Sequence, residues 1–392
     1  MSMQADLRNP ELGYFDEGLK LTDASVYAQA CRPFGEATVL LPAAYRSKVF
    51  SELENEKVWT RSWVVIGLLQ QIPRPGDLLP FTLGFHGVHV QRNADDSISA
   101  RLNRHQHGGC RFVPEQCRTG AQTKCSIASC NYTRDADVMP GGEKGECTDL
   151  MYKFVGLVPE RLTPVKCETW GPFIFINLDP GCGSLADYLG DLPEMLGPDL
   201  ARPLNLAGKQ WLDFQCNWKM AGAAFTGVGQ QISGRDGKYG GETLRTYAAV
   251  ETSSIALRSN LKLFWLFPNV LLAVGRDSIA VVLLQSTGMG KCLYRCFLLT
   301  STPGASSSAP EGFGEWLSFL KANGTVAEEM HRELVLFGTS SRPGTSVDDL
   351  PLEDNHCSYA LNRFLANRLQ LEHQYYWNAP IMDAAMTMRG SR

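Results

Sequence analysis

No histidine lies between Gly108 and Met330: all seven, His86, His89, His105, His107, His331, His356 and His373, fall outside that span. The middle of the chain therefore has no imidazole for acid–base work or metal ligation. Long apolar runs are missing too, stretches such as Ser278 to Leu284 being far too short to cross a bilayer, so no membrane span is expected. Neither sign of charge dominates. The 37 Lys and Arg against 41 Asp and Glu leave a formal net charge of -4, which supplies no general attraction to nucleic acid or to an anionic membrane. The N-terminus, Met1 to Glu17, has acidic residues and no apolar core followed by a cleavage site, so neither a signal nor a transit peptide is expected. The expected setting is the cytoplasm or another soluble intracellular compartment.

The 392 residues, 44% of them hydrophobic, suffice for two domains with substantial cores. In a reducing compartment the twelve cysteines do not make a disulfide framework. Five of them, Cys110, Cys117, Cys125, Cys130 and Cys147, share one segment, which calls for a metal or a packing explanation.

Apolar spacing predicts a helix over Ala43 to Trp59. Short β-branched and aromatic runs then predict strands at Trp63 to Leu68, Leu78 to Leu83, Val88 to Arg92, Ile98 to Leu102, Val165 to Trp170 and Pro172 to Leu178. A helical patch at Ser184 to Leu196 precedes a Pro-containing boundary candidate, Gly197 to Pro203. The second half is expected to run helix (Trp218 to Gln231), several strands (Thr243 to Leu299), helix (Gly312 to Leu336) and helix (Ser358 to Gln370).

Several motifs in order, Val49-Phe50 with Trp59-Thr60-Arg61-Ser62-Trp63, Gln71-Ile72-Pro73-Arg74-Pro75-Gly76-Asp77, Trp170-Gly171-Pro172-Phe173 through Leu178, Asn217-Trp218-Lys219 and Leu266-Phe267-Pro268-Asn269, resemble the Rieske-type non-haem iron oxygenases. The resemblance is to the large (alpha) subunit of aromatic-ring-hydroxylating enzymes, in the branch with choline and carnitine monooxygenases. It implies an α+β protein: a Rieske-like antiparallel β domain over 46–200, after an N-terminal segment 1–45, and a helix-grip (START-like) sheet-and-helix domain of catalytic type over 201–392.

It also implies two metal sites, and this sequence departs from both. The family holds a [2Fe-2S] cluster with a Cys-x-His and a Cys-x-x-His pair. Here the pairs fall on His105-Gln106-His107 and Cys125-Ser126-Ile127-Ala128, so His105 replaces a cysteine and Ala128 a histidine. Two alternatives stay open: a residual zinc or atypical iron–sulfur site built from His105, His107, Cys125 and Cys130, or a metal-free loop with packing cysteines. The family's mononuclear iron takes two histidines and a carboxylate. After Asn217-Trp218-Lys219 this chain puts Gln230 or Gln231, and Arg235 or Asp236, where the imidazoles are expected, and Gly227 where a relay carboxylate is expected. Glu328, Glu329 and His331 fall near the place of the third ligand.

The expectation is thus a pseudoenzyme, with no catalytic residue and no resident cofactor. It would serve as a structural or regulatory subunit of a trimer-like homo- or hetero-oligomer, beside an active paralogue or inside a larger complex. The rival readings are an active oxygenase with atypical ligands and a small-molecule binding module. His86-Gly87-Val88-His89 and the turn Gly288-Met289-Gly290-Lys291 carry weaker signals, for a metal and a phosphate respectively, and read better as structure.

Overall fold

The computed structural model describes residues 6–9, 14–16, 18–84, 86–102, 163–227, 230–231, 246–254, 259–301, 312–336 and 356–371. They form two compact units: one combines the residues up to Val58 with those from Ala186 onward, and the other runs from Trp59 to Leu185. The division at 45/46 and 200/201 expected from the sequence follows motifs rather than this packing.

In the Trp59 to Leu185 unit, β3 (Val64–Leu68), β4 (Leu78–Leu83), β5 (His86–Arg92), β6 (Ile98–Leu102), β7 (Pro164–Trp170) and β8 (Phe173–Asn177) make a six-stranded antiparallel sheet, ordered β3-β8-β7-β6-β5-β4. β3 and β8 are buried at every residue, which is why they read as unbroken apolar runs rather than alternating ones. Gly171 (φ 55°) makes the tight turn that sets Trp170 opposite Phe173, a left-handed backbone that a side chain would strain. The buried guanidinium of Arg61 meets Asp179 at 3.3 Å.

The other unit opens with a two-stranded ribbon, β1 (Asp6–Asn9) and β2 (Tyr14–Asp16), followed by α1 (Ala43–Arg46) and α2 (Lys48–Glu54). After α3 (Leu185–Leu189) and α4 (Leu192–Leu200) comes β9 (Asn205–Phe214), then α5 (Trp218–Thr226). β10 (Gln230–Gln231), β11 (Tyr247–Ser254), β12 (Ser259–Leu266), β13 (Val270–Val274), β14 (Ser278–Gly288) and β15 (Lys291–Thr300) form an antiparallel meander, with β9 added beside β15 to give seven strands. Two helices complete it, α6 (Phe313–Leu336) and α7 (His356–Gln370).

Three expected helices change shape for local reasons. The one over Ala43 to Trp59 breaks at Ser47, whose extended backbone and side-chain oxygen, accepting the Phe50 N–H at 3.3 Å, start α2 as a fresh helix. A π turn, Asn55–Trp59, closes it. The patch at Ser184 to Leu196 is two helices separated at Gly190 (φ 55°), and the second continues through the expected boundary to Leu200. The third, expected to reach Gln231, stops at Thr226 with Gly227 as its C-cap.

Within this unit a buried ion pair ties α2 to α5: Lys219 Nζ donates to Glu54 Oε1 at 2.7 Å, with both side chains almost wholly hidden from solvent. The rings of Tyr45, Phe50 and Trp218 surround the ammonium at 5.3, 5.4 and 5.1 Å. Burial pushes the Glu54 pKa up and the Lys219 pKa down, and each charge opposes the shift of the other. Removing one partner strands the other in an apolar shell, so Lys219→Met or Glu54→Gln alone is expected to destabilise the protein by about 3–5 kcal/mol. The double variant Glu54→Leu with Lys219→Met should recover most of that loss. Urea unfolding of the three variants checks the pattern, and additive losses would refute the pairing.

Candidate functional site

The helix that the resemblance assigns to the iron is α5, and its sequence dictates how it can sit. Asn217 caps it, its side-chain oxygen accepting the Lys219 N–H at 3.1 Å while its amide Nδ2 donates to the Met289 carbonyl at 2.8 Å. All nine residues from Trp218 to Thr226 are buried. Small residues allow this: a Cβ at Gly222 would collide with the Trp265 indole of β12, so only glycine lets the helix lie so close to the sheet. Gly324 of α6 meets the Phe214 ring of β9 in the same way. Phe225 packs edge-on to Phe319 of α6, their centroids 6.2 Å apart.

Between Lys219 and Arg235 the chain has no side chain that ionises. Chemistry on α5 is thus confined to its ends. At the last turn Thr226 Oγ1 donates to the Gly222 carbonyl at 2.8 Å, and the Cys357 thiol of α7 packs against Thr226. Burial pushes that thiol up to about 12, against the opposing hydrogen bond with Thr226. Beyond it, Gln230 and Gln231 form a short edge strand opposite Glu251 and Val250.

The acidic pair on α6 belongs to the other end. Glu328 Oε1 accepts the Gln215 N–H at 2.6 Å, just before α5 begins, and Glu329 is exposed. Eight residues at 1.5 Å per residue put the last turn of α5 roughly 12 Å from its first. Glu328 is held at the first turn, so it does not share a site with Thr226 and the residues that follow. His331, half-buried, would touch a Cβ built on Gly290 with its Nε2, and burial with the nearby Lys219 charge lowers its pKa to about 4.

Of the other expected residues, His86 and His89 lie three apart on the continuous strand β5, so they point to opposite faces and do not converge. The Gly288 to Lys291 segment is a hairpin turn, its Met289 carbonyl taken by Asn217. His105, His107, Cys125 and Cys130, with Ala128, Arg235 and Asp236, lie outside the described residues. Among the described residues no group of three or more His, Cys, Asp or Glu is arranged to hold a metal, and no helix is long and apolar enough to cross a membrane. The buried Lys219–Glu54 pair is absent from the sequence-based expectations; its one signal is a lysine at the head of an otherwise uncharged apolar stretch.

No family model matches the sequence. Over 190 residues the chain is 30% identical to the benzene 1,2-dioxygenase alpha subunit of Pseudomonas putida, covering 47% of this chain and 41% of that one. Over 202 residues it is 30% identical to the biphenyl dioxygenase alpha subunit of Metapseudomonas furukawaii, covering 48% and 43%. The chain spans less than half the length of these curated relatives. In structure it is similar to the quaternary ammonium Rieske monooxygenase CntA in complex with gamma-butyrobetaine, with a TM-score of 0.61 and 14% identity over 89% of this chain and 99% of that one. Naphthalene 1,2-dioxygenase from Rhodococcus sp. gives a TM-score of 0.59 at 16% identity, over 89% and 98%. The likeness to solved structures establishes a mixed fold of helices and antiparallel sheets. With the sequence matches, it makes the chain a relative of the Rieske-type non-haem iron oxygenase alpha subunits.

The His331 shift yields a pH prediction. A histidine whose folded pKa is depressed stabilises the fold above its unfolded pKa, and that contribution is lost as pH falls through the folded value. Between about pH 6.5 and 4 the unfolding free energy of the wild type, from urea titration, is therefore expected to fall further than that of His331→Gln, by up to about 3 kcal/mol. Parallel profiles for the two proteins would show that His331 is not held neutral by its surroundings.

Proposed function

We propose that this protein is a Rieske-oxygenase-like pseudoenzyme: a helix-grip relative without the mononuclear iron site and without an intact [2Fe-2S] ligand set, acting as a structural or regulatory subunit of an oligomer. The observation that carries the proposal is the run from Met220 to Gly234, which has no imidazole, carboxylate or thiol and whose residues Met220 to Thr226 are buried on α5. A facial iron triad needs two imidazoles and a carboxylate on one side of the metal. The residues of this segment do not fit that group, and Glu328, tied to Gln215, is engaged at the opposite end of the helix. No reaction step is assigned to the chain.

At the cluster positions the proposal rests on sequence, where Ala128 offers no lone pair and His105 replaces a thiolate. A zinc ion on His105, His107, Cys125 and Cys130 is compatible with it, since zinc accepts mixed imidazole and thiolate ligands. The family's trimers join the Rieske-like part of one subunit to the catalytic part of the next, and a silent chain that keeps both surfaces can still close such a ring. One solved structure of a quaternary ammonium Rieske monooxygenase is described in terms of inter-subunit electron transfer in that protein.

The purified protein is expected to show neither the visible absorption of a Rieske centre nor its reduced-state paramagnetic resonance signal. A reducible two-iron centre would overturn the cluster half of the proposal. In native mass spectrometry the protein is expected as an oligomer or bound to a homologue; a stable monomer isolated without partners would overturn the subunit role.

A further inference from the structure

β9 ends the seven-stranded sheet, so among the described residues no strand pairs with its outer edge. Native sheets blunt such an edge with a short strand, a proline or a bulge. β9 has ten residues and no proline, and its one irregularity lies at its start, opposite Leu298 and Leu299. Over residues 208–214 its register is regular, and Lys209, Gln210 and Asp213 are exposed.

Lys209, Trp211 and Asp213 alternate with their neighbours and share one face of the strand. When a strand pairs antiparallel with its own copy about an axis normal to the sheet, opposed residues have numbers of constant sum and point to the same face. One register alone, centred on Trp211, sets Lys209 opposite Asp213 of the second copy and Asp213 opposite its Lys209. Any shift of that centre removes both pairs. An ammonium has three donors, so this contact adds to what Lys209 holds in its own chain. Trp211 is already ordered at the centre, edge-on to the Phe297 ring at 5.4 Å and beneath the Arg295 guanidinium at 5.6 Å.

α6 leaves the approach open. Its Phe313 and Gly324 meet Gly208 and Phe214 of β9, while Phe319 packs on Phe225 of α5. At about 100° per residue, Gly314, Ser318 and Thr325 form an exposed stripe turned away from α5, beyond the strand edge. The Ser318 and Thr325 hydroxyls donate to the Gly314 and Lys321 carbonyls at 2.9 and 3.1 Å, so these small side chains are satisfied within the helix.

We infer that β9 is a docking edge for a second copy of this chain, in a two-fold dimer whose sheets continue into each other through residues 208–214 centred on Trp211. The contact uses only β9 and α6, so it depends neither on any metal position nor on the trimer-like ring.

Sedimentation velocity of the full-length protein over a concentration series tests it. The readout is a doubling of mass, of one chain or of a ring, so loss of the ring leaves the test standing. Lys209→Asp sets acid against Asp213 twice, and Asp213→Lys sets base against Lys209 twice; each is expected to weaken the doubling by at least about tenfold. The double variant Lys209→Asp with Asp213→Lys restores opposite charges and is expected to recover most of that loss. Cysteine pairing reads the register: an equimolar mixture of Lys209→Cys and Asp213→Cys proteins, oxidised with glutathione disulfide, is expected to give a cross-linked dimer that neither gives alone. An association state that none of the charge variants alters would overturn the inference, and so would a mixture that cross-links no better than its components.

Discussion

A helix buried along its whole length can carry only side chains that do without water, and α5 obeys that rule from Met220 onward. Its one charge, Lys219, is admitted because Glu54 reaches it at 2.7 Å and aromatic rings surround the ammonium. An isolated carboxylate further along would face the desolvation cost with nothing to offset it. In an iron enzyme the metal itself supplies the opposing charge for such an acid. On the proposed reading, a glycine at 227 and an uncharged stretch up to Gly234 are physically consistent with a segment that holds no metal.

The same helix sets the shape of its surroundings. Gly222 lets α5 lie on Trp265, and Gly324 lets α6 lie on Phe214, so backbone touches ring where side chains would otherwise keep the layers apart. Glu328 of α6 is held at the Gln215 end by its bond to the Gln215 N–H.

Much of the antiparallel architecture was legible from the chain, because its strands are short, rich in Val, Ile and Phe, and bounded by Gly, Pro or Asp. Helix ends were less so. The break at Ser47 depends on a hydroxyl choosing the Phe50 N–H, and the early end of α5 on Gly227, neither of which disturbs the apolar periodicity that suggested longer helices. His86 and His89 suggested a pair, but a two-residue period sends them to opposite faces. The Lys219–Glu54 contact could not be seen at all, since its partners are 165 residues apart and nothing local distinguishes Glu54 from an exposed acid.

The central claim concerns iron at α5, and anaerobic titration of the full-length protein with ferrous iron tests it most directly. After removal of loosely bound metal, the account predicts well under one mononuclear iron per chain and no substrate-dependent oxygen uptake. One tightly held ferrous ion per chain, with oxygen consumed on addition of an amine or aromatic substrate, would contradict it.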